Sequence, residues 1–158
     1  MVINLRKLES DDWPLFAKWW RDEELIDLTS GDHSPLMDEE IKRQVDDMAE
    51  DIKSHHWLIK ADGEAIGHIN LNQKDDNSVE MQIVIGEKNY WGKGIGTEAI
   101  SLVVSEAKKL GYKKINAEVR PENKRALRLY EKMGFKKIGT KKYDNPNLPE
   151  VILFKKEL

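Results

Sequence analysis

The chain has 158 residues and a mass of 18.3 kDa, which argues for one domain large enough to bury a core of its own. Lys+Arg of 26 against Asp+Glu of 29 gives a net charge of −3 and a pI near 5.9, so no bulk positive field is offered to nucleic acid. The absence of cysteine excludes disulfides, thiolate metal centres and a cysteine nucleophile, and a mean hydropathy of −0.66 with no apolar run of about 18 residues predicts no membrane span and, with no secretory leader, a cytoplasmic domain.

Residues 2–8 alternate well enough for a first strand, after which Ser10 is expected to cap a helix carrying Trp13, Phe16, Ala17, Trp19 and Trp20, with Pro14 in its first turn. Residues 25–37 hold Gly31, Ser34 and Pro35 among mixed polar residues and read as an irregular connection. A polar helix follows over 38–52, with Ile41, Val45, Met48 and Ile52 as its apolar stripe. From His56 the period becomes that of strands: 56–61, a turn at Asp62-Gly63, 64–73, a polar turn at 75–77, and 78–85. In the last of these Val79, Met81, Ile83 and Ile85 face one way while Glu80, Gln82 and Val84 face the other. A glycine-rich loop over 86–96 leads into a helix from Thr97 that ends at Gly111. A strand over 114–119, a helix over 123–133 with Ala126, Leu129, Tyr130 and Met133 at helical spacing, and strands near 136–143 and 150–157 around DNPNLP complete the chain. This order predicts a single α/β domain over 1–158, with a mixed, mostly antiparallel sheet flanked by helices and one parallel crossover through the helix after Gly96.

Gly92-Lys93-Gly94-Ile95-Gly96 lies between a strand and a helix, where backbone N–H groups can converge on an anion and the helix N-terminus adds about half a positive charge. The Walker A spacing is absent from the chain. The dinucleotide fingerprint is met formally by Gly94-Ile95-Gly96-Thr97-Glu98-Ala99, with Glu118 about twenty residues on, but an antiparallel meander comes first instead of a repeated parallel unit.

The segments IVIGEKNYWGKGIGTEA and VRPENKRALRLYEKMGF, in this order and at this spacing, resemble the GNAT superfamily of acetyl-CoA-dependent N-acetyltransferases, whose pyrophosphate loop reads Gln/Arg-x-x-Gly-x-Gly/Ala. Trp91 stands where that pattern has Gln or Arg, similar to the branch that includes ribosomal-protein alanine and spermidine acetyltransferases. The resemblance implies a GNAT-like fold, acetyl-CoA as cosubstrate, and acetylation of a primary amine on a protein N-terminus, polyamine, aminoglycoside or small metabolite. A non-catalytic acyl-CoA-binding regulator is the alternative. Residue by residue it implies cofactor binding by Val84, Ile85 and Gly86 at the strand end, by Trp91, Gly92, Lys93, Gly94, Ile95, Gly96 and Thr97 in the loop, and by Asn123. Tyr130 matches the tyrosine that protonates the departing CoA thiolate and also contacts the cofactor.

Transfer from a thioester to an amine needs a neutral amine, a stabilised oxyanion and a proton for sulfur, with no covalent intermediate. A lysine-like amine of pKa about 10.4 costs about 4 kcal/mol to deprotonate at neutral pH, so such an acceptor leans on a base. Glu118, on the strand beside the loop, is the candidate. Glu80 and Gln82, with His68 and Asn70 on the neighbouring strand, are expected to line an acceptor pocket. The acidic run Asp38, Glu39, Glu40, Asp46, Asp47, Glu50 and Asp51 offers steering of a cation, and one of Trp13, Trp19 and Trp20 is expected near an acceptor groove or an interface while the others pack in the core. His55 and His56 are adjacent and diverge on a strand, so no metal site is expected. The final strands offer an edge through which a homodimer could pair, and the loops 25–37 and 143–149 are expected to bear on acceptor choice.

Overall fold

The computed structural model describes residues 1–144, 146 and 150–158. Seven strands, β1 (Ile3–Lys7), β2 (Ser54–Ala61), β3 (Glu64–Gln73), β4 (Ser78–Ile85), β5 (Lys114–Val119), β6 (Lys136–Lys142) and β7 (Glu150–Glu157), form one sheet in the order β1-β2-β3-β4-β5-β7-β6. Every neighbouring pair is antiparallel except β4–β5. The helices are α1 (Trp13–Trp20), α2 (Glu23–Leu28), α3 (Asp38–Glu50), α4 (Ile95–Lys109) and α5 (Lys124–Lys132). The α/β class and the single parallel crossover, carried by α4, are as the sequence pattern predicts.

Alternation on the strands decides what each face buries. Ile59, Ile69, Val79 and Met81 point to the side covered by Ala99, Ile100, Val103 and Ala107 of α4. Leu58 points to the other side, beneath Phe16 and Trp19 of α1 and Ile41 and Val45 of α3. The Asp62-Gly63 turn has positive φ at both residues (47° and 86°) and joins Ala61 to Glu64 directly across the hairpin, the backbone that this dipeptide favours.

Four local expectations are corrected. Ser10 does not cap α1: residues Ser10–Asp12 form a 3-10 turn, with Asp12 Oδ2 accepting the Glu9 amide at 2.8 Å and Asp12 Oδ1 bound to Arg6 at 2.7 Å. The stretch 25–37 is not wholly irregular, since α2 occupies its start, capped by Asp22 Oδ1 accepting from the Leu25 amide at 3.1 Å. α3 stops at Glu50 because Asp51 turns away, its carboxylate binding the Lys53 amide and the Ser54 hydroxyl at 2.9 Å each, so Ile52 is 89% exposed and not part of the stripe. α4 begins at Ile95, two residues before the expected start. β6, the outer strand, carries Lys136, Lys137, Lys141 and Lys142, a charge pattern that opposes pairing with a second copy through that edge. Of the loop 143–149, residues 145 and 147–149 lie outside the described residues.

Candidate active site

β4 and β5 pair only where Ser78–Glu80 faces Lys114–Asn116, and from Met81 onward the two strands part. The Gly86 amide donates to Ile66 O at 2.8 Å, so antiparallel alternation spends the backbone groups of Val84 and Gln82 on β3 and turns those of Ile83 and Ile85 toward the opening. Ile85 O already accepts from the Trp91 indole at 2.8 Å.

The glycine loop closes one end of this opening. Gly92 and Gly94 have φ of 76° and 79°, a left-handed backbone that side chains resist, and Gly94 is the N-cap of α4 with no side-chain cap. The first amides of α4 are thereby presented to an anion, with the helix dipole behind them. At Gly96 a Cβ would lie 2.7 Å from Leu129 Cδ2, so α5 closes directly against the start of α4. The resulting cleft, about 340 Å³, is lined by the loop, by Ile83–Ile85, and by Arg125, Arg128 and Lys132 of α5. Among the described residues three cations and no carboxylate line it, on a chain whose net charge is −3.

A second cavity of about 380 Å³ shares Thr29, Ile83, Val84, Asn123 and Ala126 with the cleft and adds Glu80, Gln82, Glu118, Arg120 and Tyr130. Tyr130 is 4% exposed, its ring 5.3 Å from Phe135 and 5.9 Å from Phe154, and burial pushes its phenol above the ordinary tyrosine value. Glu118 Oε2 accepts from the Tyr143 hydroxyl at 2.6 Å, and Lys141 Nζ stands 4.0 Å from Oε1. That hydrogen bond holds the Tyr143 phenol above its usual value and keeps it a donor. Glu80 pairs with Lys74 at 2.9 Å, and Arg120 Nη1 donates to Thr29 O at 3.3 Å.

The profile of the acetyltransferase (GNAT) domain matches residues 3–136. The chain belongs to the GNAT acetyltransferases. An N-acetyltransferase 9-like protein of Caenorhabditis briggsae is 33% identical over 138 residues, which cover 78% of this chain and 69% of that protein. An uncharacterised protein of Methanocaldococcus jannaschii is 43% identical over 72 residues, covering 46% of this chain and 15% of that protein, so this chain spans a small part of that relative. The solved structure of spermidine N-acetyltransferase from Vibrio cholerae, in complex with CoA and spermine, has a TM-score of 0.85 at 22% identity over 98% of this chain and 95% of its own.

Of the residues expected to hold acetyl-CoA, the GNAT cleft brings together Val84, Ile85, Trp91, Gly92, Gly94, Ile95, Gly96, Thr97 and Asn123. Gly86 sits instead under the Trp19 indole, Lys93 lies 5.5 Å above the Tyr90 ring, and Tyr130 lines the adjoining cavity. Glu118, Glu80 and Gln82 share that cavity. Trp19 and Trp20, with Asp32 and Glu40, line a third cavity of about 490 Å³ that meets the other two at Thr29 and Val84. Sequence reasoning missed Arg120, Arg125 and Tyr143. The spacing of Arg125, Arg128 and Lys132 around Leu129 on one helical face was a signal for the second of these, whereas no motif marks Tyr143.

His68 is not among the lining residues of any of the three cavities. Its Nε2 lies 2.9 Å from His56 Nδ1, and its ring stands edge-on to Phe16 at 5.0 Å. His55 diverges from His56 and stacks on Trp57. Burial pushes His56 down to about 4 and His68 down to about 3, so both are neutral in the folded chain at pH 7. Below pH 6.5 the unfolded chain binds protons that the folded chain refuses. Stability is therefore full above pH 6.5 and is lost as pH falls toward 4, at up to about 1.4 kcal/mol per pH unit for a wholly buried histidine. In thermal melts between pH 7.5 and 5, His68→Leu should flatten this slope; an unchanged slope would show that His68 is not its source.

Proposed function

We propose that this GNAT domain transfers the acetyl group of acetyl-CoA directly to a primary amine, with Glu118 as base and Tyr130 as proton donor to sulfur. The observation that carries the reading is the junction at Ile83 and Val84, where a cationic cleft with a glycine loop opens onto a cavity holding Glu118 and Tyr130. When bound, acetyl-CoA supplies an activated thioester carbonyl. The Ile83 amide, aimed into the gap between β4 and β5, is the donor for its developing oxyanion. Glu118 takes the proton an amine sheds as the N–C bond forms and the C–S bond breaks, and passes it to solvent. Tyr143 occupies Oε2, so the proton goes to Oε1, which Lys141 Nζ approaches to 4.0 Å. Tyr130 supplies the proton that ends on sulfur and regains one from solvent, so the proton that Glu118 passes out and the one that Tyr130 takes up balance.

The acceptor enters through the third cavity, where the carboxylates of Asp32 and Glu40 and the indoles of Trp19 and Trp20 suit a protonated amine. A protein N-terminus, a polyamine, an aminoglycoside and a small metabolite all present one. Thiol release from acetyl-CoA with a panel of such amines tests the reading. Turnover with at least one is expected, and CoA binding without turnover on any would leave a non-catalytic CoA-binding domain. In the same assay Glu118→Gln should lower kcat/KM by about 100-fold or more at pH 7, with the loss greatest at low pH, where free amine is scarce. An unchanged pH profile removes Glu118 from the mechanism.

A further inference from the structure

Trp91 is the one loop position that departs from the side-chain pattern of the family, placing an uncharged indole where a Gln or Arg would face the pyrophosphate. The structure shows what stands on it. The Arg125 guanidinium carbon lies 3.4 Å from the centre of the Trp91 ring, a cation–π contact across the cleft from the glycine loop to α5, too close for the guanidinium to stand edge-on to the ring. The indole is not free to follow the arginine, because its N–H is fixed to Ile85 O at 2.8 Å. Stacking uses the face of the guanidinium and leaves its N–H edge for oxygen, the geometry in which Arg binds phosphate by two parallel bonds. Among the described residues no carboxylate lines the cleft, and Glu24, whose charge acts on Arg125, is held by Lys88 at 3.2 Å.

We infer that Arg125 supplies from α5 a pyrophosphate-binding cation at the loop position that Trp91 leaves uncharged, and that Trp91 is the platform that aims it. The inference rests on acetyl-CoA occupying this cleft. Arg128 and Lys132 line the same cleft about 4.5 and 10.5 Å further along the helix axis, and Arg125 is the one set on the Trp91 ring. An arginine fixed on an aromatic plate is also not replaceable by lysine, whose ammonium has no face to stack.

The test is calorimetric binding of CoA and of 3′-dephospho-CoA, which keeps the pyrophosphate, to wild type, Arg125→Ala, Arg125→Lys, Trp91→Ala, the double alanine variant and Trp91→Arg/Arg125→Ala. Arg125→Ala should weaken both ligands equally, by about 10- to 100-fold, the worth of one or two charge-assisted hydrogen bonds. Trp91→Ala should cost a similar factor, the double alanine variant should be no worse than either single, and Trp91→Arg should restore binding to Arg125→Ala. Arg125→Lys should recover less than half of the logarithmic loss. A loss confined to CoA would move Arg125 to the 3′-phosphate and overturn the inference. So would additive effects of the two alanines, or binding by Arg125→Ala within about twofold of wild type. If wild type binds neither ligand, the cofactor reading of the cleft itself fails, a result distinguishable from all of these. Circular dichroism and melting temperature of each variant separate lost folding from lost binding.

Discussion

Tyr130→Phe is expected to lower kcat by about 100-fold or more while leaving the melting temperature within a degree or two of wild type. The ring contacts with Phe135 and Phe154 survive the substitution, so the packing of α5 against β7 is kept and only the hydroxyl is lost. Burial raises the phenol, and its effect on chemistry has a definite sign. A free phenol at about 10 is already a weaker acid than a thiol at about 8.5, and burial widens that gap. Tyr130 therefore stays protonated throughout the working range, acts first as a hydrogen-bond donor to sulfur, and releases its proton only as the C–S bond breaks. The kcat profile of wild type should show no descending limb from Tyr130 below pH 10, and the variant should run parallel to it at a lower level. Full activity in the variant would return Tyr130 to the core, the role its exposure of 4% would otherwise assign it.

Gly86→Ala should produce a large loss of stability. A Cβ there would lie 2.3 Å from Trp19 Nε1 and 2.4 Å from Cδ1 and Cε2, inside a rigid ring that is itself 3% exposed and has no flexible end to give way. Relief requires the indole to tilt away, breaking its 3.0 Å bond to Glu87 Oε2 and its edge contact with Phe16 at 5.7 Å. Overpacking of this kind costs about 1–3 kcal/mol, and the lost hydrogen bond about 1 more. For a chain of this length each kcal/mol lowers the melting temperature by about 2–4 °C. Gly63→Ala is the control, since Gly63 has a positive φ but no atom within 4 Å of a Cβ, so only backbone strain is added there. Equal melting temperatures for the two variants would show that the indole moves at little cost. Because Lys18 and Trp19 both bind Glu87, and Lys88 binds Asp22 at 2.8 Å, the damage should extend to how α1 and α2 sit over the end of β4.

Elements governed by near neighbours were legible in the chain. The strands from β2 to β4, the Asp62-Gly63 hairpin and the left-handed Gly92 and Gly94 depend on residues a few positions apart. So does Asn123, whose side chain accepts from the Ala126 amide at 3.3 Å at the start of α5. The misplacements have equally local causes. α2 has six residues, too few to show a helical period, although Asp22 followed by Glu23 and Glu24 is a start signal. The end of α3 turned on whether Asp51 would cap or continue, which the apolar spacing of Ile52 could not reveal.

What the sequence alone determined, then, is the order of the strands and of the helices other than α2, with the glycine-rich stretch before α4. These are properties of spacing, and spacing is covalent, whereas Glu118 and Tyr130 were singled out by the resemblance of their segments to a family. Only the tertiary structure decided that His68 turns to His56 instead of the acceptor cavity, that Tyr143 stands on Glu118, and that Arg125 lies on Trp91. It also decided that β4 parts from β5 after Glu80. Each of these depends on which strands and helices are laid side by side, and a side chain's choice of partner across such a gap is set by packing that no periodicity encodes.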